Sequence, residues 1–140
     1  MGYRSTIIFG VKQSHAPKLD EILKEHKITP DEKELVVYPH YKIVKDKHGD
    51  FEKRKRVDDI QMIVYRFEYL KWYEDYDDVR AITKYLKGLA YTLDEDDNVV
   101  ETDEYGWTFL IGLGEDGQTH SEIGDWYNYV DHISKLEISG

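Results

Sequence analysis

Residues 60–72 read Ile-Gln-Met-Ile-Val-Tyr-Arg-Phe-Glu-Tyr-Leu-Lys-Trp. This is the longest apolar-rich run of the chain, and it decides the fold class. Tyr65, Phe67 and Tyr69 alternate with Arg66 and Glu68. A period of two puts the three aromatics on one face of a strand and the charges on the other. Helical spacing follows at once. Asp75 is the expected N-cap, with Asp78 three residues on in a capping-box pattern. Val79, Ile82, Leu86 and Leu89 then fall on one helical face, and Gly88 lies near its end. A strand feeding an amphipathic helix predicts a sheet with helices packed on it.

Upstream, residues 3–11 are β-rich and read as a buried strand. Ser14-His15-Ala16-Pro17 is a helix start, since proline is tolerated in a first turn. Leu19, Ile22, Leu23 and His26 continue one helical face, and Thr29-Pro30-Asp31 stops it. Leu35-Val36-Val37-Tyr38 opens a second strand, which Tyr41 to Val44 would continue. Pro39 cannot donate to a ladder, so this strand is bulged there or lies at an edge. Gly49 sits in a turn, and residues 51–56 are the expected return arm of a hairpin. Downstream, residues 94–104 read as an acidic loop and residues 107–113 as a strand. Gly114-Glu115-Asp116-Gly117 joins that strand to another in a hairpin. Residues 126–138 fit a helix or a Tyr-rich strand. The order strand, helix, strand, strand, helix, strand matches the ferredoxin-like βαββαβ plan. The expected fold is therefore an α+β two-layer sandwich with extra C-terminal β-strands. It spans residues 1–140 as a single domain.

The chain has 140 residues, enough to bury a core without metal or disulfide. It has no cysteine, which removes disulfides, thiol nucleophiles and Cys-type zinc sites. No run approaches the roughly 18 apolar residues of a membrane span, and no secretory signal is readable at residues 1–12. A cytoplasmic protein is the expectation. Net charge is −10 and uneven. Residues 1–72 hold 15 Lys and Arg against 12 Asp and Glu, whereas residues 73–140 hold 4 against 17. This argues against free nucleic acid as a partner, because phosphate binding needs clustered cations. No linker separates the halves, so the asymmetry reads as one acidic face of a single domain.

Several motifs have a plain structural role beside a chemical one. The six histidines include no HExxH, so no metal site is assigned. His132-Ile133-Ser134 has the form used by two-histidine phosphoesterases, which need two facing copies; His120-Ser121 has a different spacing. An EF-hand aligned from Asp94 puts Val99 where glycine belongs and Tyr105 where the bidentate glutamate belongs. Lys53-Arg54-Lys55-Arg56 is the basic cluster, better suited to a charged edge strand than to RNA, since no RNP1 pattern accompanies it. Gly112-Leu113-Gly114 starts no phosphate-binding loop motif. No catalytic residue and no cofactor is assigned.

Met1-Gly2-Tyr3-Arg4-Ser5, running straight into an apolar strand, resembles the start of a group of short phage and prophage proteins. Trp72-Tyr73-Glu74-Asp75-Tyr76, the strand ending Ile111-Gly112-Leu113-Gly114-Glu115-Asp116 and the Tyr-rich C-terminus are similar to that group as well. The likeness covers most of the chain outside residues 29–59, and it favours β-structure at the C-terminus. It implies a phage accessory protein, located in the cytoplasm of the infected bacterium, and carries over no catalytic residue.

Two functions follow as expectations. The first is a non-enzymatic accessory protein that binds and modulates a host or phage macromolecule. Its contact surface would be Glu74, Asp75, Asp77, Asp78, Asp94, Asp96 and Asp97, a negative patch able to steer onto basic sites of a protein partner. The second is a binder or hydrolase of a nucleotide or other small ligand. There Tyr65, Tyr69, Trp107 and Trp126 would stack a base, and Arg4 and Arg66 would meet phosphate. A homo-oligomer pairing through a sheet face or edge is a third expectation.

Overall fold

The computed structural model describes residues 3–39, 41–45, 49, 52–56, 59–93, 95, 99–102, 107–124, 126–131 and 137–138. It is an α+β structure with two helices and a five-stranded antiparallel sheet. The chain begins with β1 (Ser5–Lys12), a short 3-10 turn and α1 (Ala16–Glu25). Then come β2 (Glu32–Tyr38), β3 (Tyr41–Lys45), β4 (Glu52–Arg56) and β5 (Ile60–Leu70). After α2 (Asp77–Ala90) follow β6 (Tyr91–Leu93), β7 (Val99–Thr102), β8 (Phe109–Gly114) and β9 (Thr119–Ile123). Two-residue strands β10 (Val130–Asp131) and β11 (Glu137–Ile138) complete the elements. The main sheet runs β2-β5-β1-β8-β9.

The period-two pattern of β5 explains the layering. Tyr65 and Phe67 point to the face covered by α1 and α2, where they join Ile7, Phe9, Val11, Leu19, Leu23, Val79, Ile82 and Leu86. The Phe9 ring stacks on Tyr65 at 5.3 Å and on Phe67 at 5.4 Å. Each such buried side chain contributes about 1.5–3 kcal/mol. Met62 and Val64 point the other way, into a second cluster with Ile8, Phe109, Ile111, Trp107, Tyr38, Tyr129 and Val130. Tyr129 closes that face, stacked on Phe109 at 4.6 Å and edge-on to Tyr38 at 4.9 Å. Both faces are thus covered, one by helices and one by the segment after β9.

Tyr69 departs from the expected alternation. Ser5 pairs with Leu70 and Ile7 with Phe67, so β5 carries one residue more than β1 across that step. This bulge sets Tyr69 at φ 55° and leaves it 74% exposed, off the face of Tyr65 and Phe67. The start of α2 also differs from expectation. Tyr76, not Asp75, is its N-cap, without a side-chain cap bond. Asp78 Oδ1 instead accepts the Val79 N–H at 2.7 Å.

β2 lies at the sheet edge, one of the two outcomes Pro39 allowed, and ends at Tyr38, just before that proline. Tyr41 to Val44 does not continue it. β3 pairs with β4 in a separate two-stranded sheet, the expected hairpin return. The acidic stretch is likewise not all loop, since β7 pairs with β6. Trp107 lies before β8, which starts at Phe109. The C-terminal ambiguity resolves into a 3-10 turn at Trp126–Asn128, then β10 paired with β11. No helix among the described residues is long and apolar enough to cross a membrane.

Candidate functional site

α2 places Arg80, Lys84 and Lys87 at i, i+4 and i+7, one side of the helix. All three are exposed. The second half of the chain has four cationic residues, and these are three of them. Together with Trp72, Glu74, Thr83, Ser121 and Glu122 they line a groove between α2 and β9. Its volume is about 620 Å³, within the range of small-molecule sites. Elsewhere Lys18, Lys33, Arg56 and Arg66 pair with carboxylates, but no ion pair among the described residues engages the groove cations. Glu122 is occupied by the Trp126 Nε1–H, which donates to its Oε1 at 3.1 Å. Glu74 is the second carboxylate of the groove.

Beside the groove, β1, β8 and β9 assemble a polar cluster. Ser5, 3% exposed, holds its Oγ 2.8 Å from His120 Nε2. His120 Nδ1 lies 2.9 Å from Ser121 Oγ. The hydrogen-bonded row Ser5–His120–Ser121 therefore ends at a residue that lines the groove. Gly112 makes room for it: a Cβ there would sit 2.5 Å from the His120 ring. Tyr3 passes over Gly114 in the same manner, and its hydroxyl donates to Asp116 Oδ1 at 2.6 Å. That bond raises the Tyr3 phenol and lowers the Asp116 carboxyl. The Tyr3 N–H donates to the Tyr73 hydroxyl at 2.6 Å, tying this corner to the segment before α2.

The backbone at Ser121 is unusual. Leu110 pairs with Ile123 and Gly112 with His120, so β9 has one residue too many there. Ser121 takes φ 58°, a left-handed conformation that costs an L-residue about 1–2 kcal/mol. The bulge brings His120 opposite Gly112, the place Ser121 would occupy in an unbroken ladder. Burial pushes His120 below its ordinary value, against the opposing pull of Asp116 and Glu74. Its imidazole is therefore neutral at pH 7 and can accept a proton.

The residues singled out from sequence do not form one site. Asp75, Asp77 and Asp78 gather with His26 and Tyr76 around a shallow hollow, while Glu74 lies in the other groove. Asp94, Asp96 and Asp97 lie outside the described residues, as do His132-Ile133-Ser134. Tyr65 is fully buried beneath α1, its hydroxyl donating to Asp20 Oδ1 at 2.8 Å. Burial, then that hydrogen bond, push its phenol up. Trp107 is buried on the opposite face. Arg4 and Tyr69 do meet, the guanidinium donating to the Tyr69 carbonyl at 2.9 Å. Arg66 pairs with Glu68 at 3.2 Å. Trp126 bonds Glu122 and packs against the cluster on the sheet face away from the helices. Among the described residues no three His, Asp or Glu side chains converge as a metal set.

Sequence reasoning missed the groove cations because it weighed the second half by its total charge. The spacing of Arg80, Lys84 and Lys87 was the available signal. Comparison with family models, with curated proteins and with solved structures found no match.

Proposed function

We propose that this chain binds a small phosphorylated ligand of the nucleotide class in the groove between α2 and β9. The observation that carries the reading is the gathering of Arg80, Lys84 and Lys87 on one groove wall, in a half of the chain otherwise dominated by carboxylates. A local positive wall inside a negative protein concentrates a polyanion at one place and repels it elsewhere. Trp72, Thr83 and Ser121 line the same groove and add an aromatic and two hydroxyl-bearing side chains to it. The order β2-β5-β1-β8, with α1 after β1 and α2 after β5, supports a ferredoxin-like plan extended by β9 at one edge. That plan hosts many functions, so the site carries the argument. The resemblance to short phage and prophage proteins favours an accessory role in the cytoplasm of an infected bacterium.

The test is a thermal-shift series with pyrophosphate and nucleoside mono-, di- and triphosphates. A ligand at 100 times its dissociation constant stabilises by about 2.7 kcal/mol. The shift is expected in the native chain and lost when Arg80, Lys84 and Lys87 are all changed to alanine. No shift with any phosphate, or the same shift in the triple variant, defeats the reading.

A second reading is a host or phage protein partner docking on the acidic patch. It is favoured by the grouping of Asp75, Asp77 and Asp78 at the start of α2, where they also meet the helix dipole. Charge reversal at Glu74, Asp75, Asp77 and Asp78 is expected to abolish capture of such a partner from bacterial lysate. Unchanged capture would sink it.

A further inference from the structure

We propose that Ser121 and His120 are a nucleophile and general base acting on a phosphate ester held in the α2–β9 groove. The inference rests on the phosphate-binding reading of that groove and adds a reaction to it. Three separate features of β9 meet at Ser121. The first is the bulge, which leaves Ser121 in a left-handed conformation and re-aims its side chain. The second is the 2.9 Å contact between Ser121 Oγ and His120 Nδ1, the spacing a base needs to take a hydroxyl proton. The third is position: Ser121 lines the groove whose other wall holds Arg80, Lys84 and Lys87.

Ser5 completes the row as a positioning residue. With Nε2 protonated and donating to Ser5 Oγ, Nδ1 keeps its lone pair for the Ser121 hydroxyl. Gly112 keeps open the space that the imidazole fills between the two serines. The charged and titratable groups around His120 are Asp116, Glu74 and Tyr3, with the three α2 cations on the groove that Ser121 lines.

In the first step the Ser121 Oγ attacks phosphorus while its proton passes to His120 Nδ1. The Oγ–P bond forms, the P–O bond to the leaving group breaks, and the imidazolium returns the proton to the departing oxygen. In the second step His120 takes a proton from water. The resulting hydroxide attacks phosphorus, the Oγ–P bond breaks, and Ser121 recovers its proton from His120. The groove cations face the charge on the phosphoryl oxygens throughout.

The experiment is labelling of the intact native chain with a fluorophosphonate, followed by peptide mapping. Attack by an activated serine displaces fluoride and leaves the phosphonyl group on Oγ. Label is expected at Ser121, slowed at least about 100-fold in His120→Gln. Ser121→Ala is expected to take no label, and a native circular-dichroism spectrum and cooperative urea unfolding show that it is folded. Ser5→Ala is expected to move the midpoint of labelling rate against pH; loss of packing alone leaves that midpoint in place. An unlabelled Ser121 in a native chain that still shows the pyrophosphate shift overturns the catalytic proposal and spares the binding reading. Equal labelling of the native chain and His120→Gln overturns it as well. Label at Ser121 without any phosphate shift supports the nucleophile and overturns the ligand class.

Discussion

Along β2, seven residues pair with β5 without a break, from Glu32 opposite Arg66 to Tyr38 opposite Ile60. Along the five-residue β9, three residues pair with β8 across a bulge. Both strands are edges of the same sheet. The regular edge exposes Leu35 and Val37 by about half and opens with Glu32-Lys33-Glu34, charges that discourage pairing with another chain. The irregular edge is shorter, and it holds a histidine between two serines against a cationic helix. The difference shows where strain is tolerated in this fold. The edge that repeats a simple pattern carries no cluster of reactive groups. The edge that breaks the pattern carries the candidate chemistry, and its surroundings hold the broken geometry in place.

The largest test of that comparison is the exit from β9. Gly124 sits at φ 65°, and a Cβ there would run into the Thr108 carbonyl oxygen. Its N–H donates to the Tyr91 hydroxyl at 2.6 Å. Gly124→Ala combines left-handed strain with a backbone clash, so a loss of about 3 kcal/mol is expected in urea unfolding. A loss below about 1 kcal/mol would mean that the β9 edge is not rigidly held.

A smaller effect is expected from pH. His120 is depressed by burial below its ordinary 6.5. Below that value the unfolded chain binds more protons there than the folded one. The stability linked to His120 is therefore complete above about pH 6.5 and declines as pH falls beneath it. Urea midpoints compared at about pH 7.5 and 5.5 should drop less in His120→Gln than in the native chain. Equal drops would show that His120 is not held neutral by the fold.

The smallest effect belongs to the regular edge. Leu35→Thr and Val37→Thr should each change stability by no more than about 0.5 kcal/mol, read from the same unfolding curves. A larger loss would mean that this edge is covered, in solution, by a second copy of the chain.

The sequence made the layers legible where side chains alternate in register. Tyr65 and Phe67 announced β5, and Val79, Ile82 and Leu86 announced α2. Pro39 announced a bulge or an edge, and β2 is an edge. Tyr69 misled because a bulge is a backbone event with no marker in the residue pattern. The same holds at Ser121. The Ser5–His120 bond joins residues 115 positions apart, and no local spacing encodes it. Gly112 was visible and fitted no phosphate-loop motif, but nothing beside it in the sequence marks it as space for an imidazole two strands from Ser5. The groove cations were visible as well, hidden only by summing charge over a whole half. The acidic residues were legible as a charged run, yet the helix start divides them between two hollows.

β1 is the strand with the most distant partners. It pairs on one side with β5 and on the other with β8, up to Ser5 against Leu70 and against Gly114. During synthesis β1 therefore leaves the ribosome long before either neighbour exists. Ile7, Ile8, Phe9 and Val11, all fully buried at the end, have no sheet neighbours to cover them until then. Closing the sheet around β1 needs loops of long range, which slows folding more than it weakens the folded state. The Ser5–His120–Ser121 row is completed only when β9 docks, so the candidate chemistry is among the last features of the molecule to come into existence.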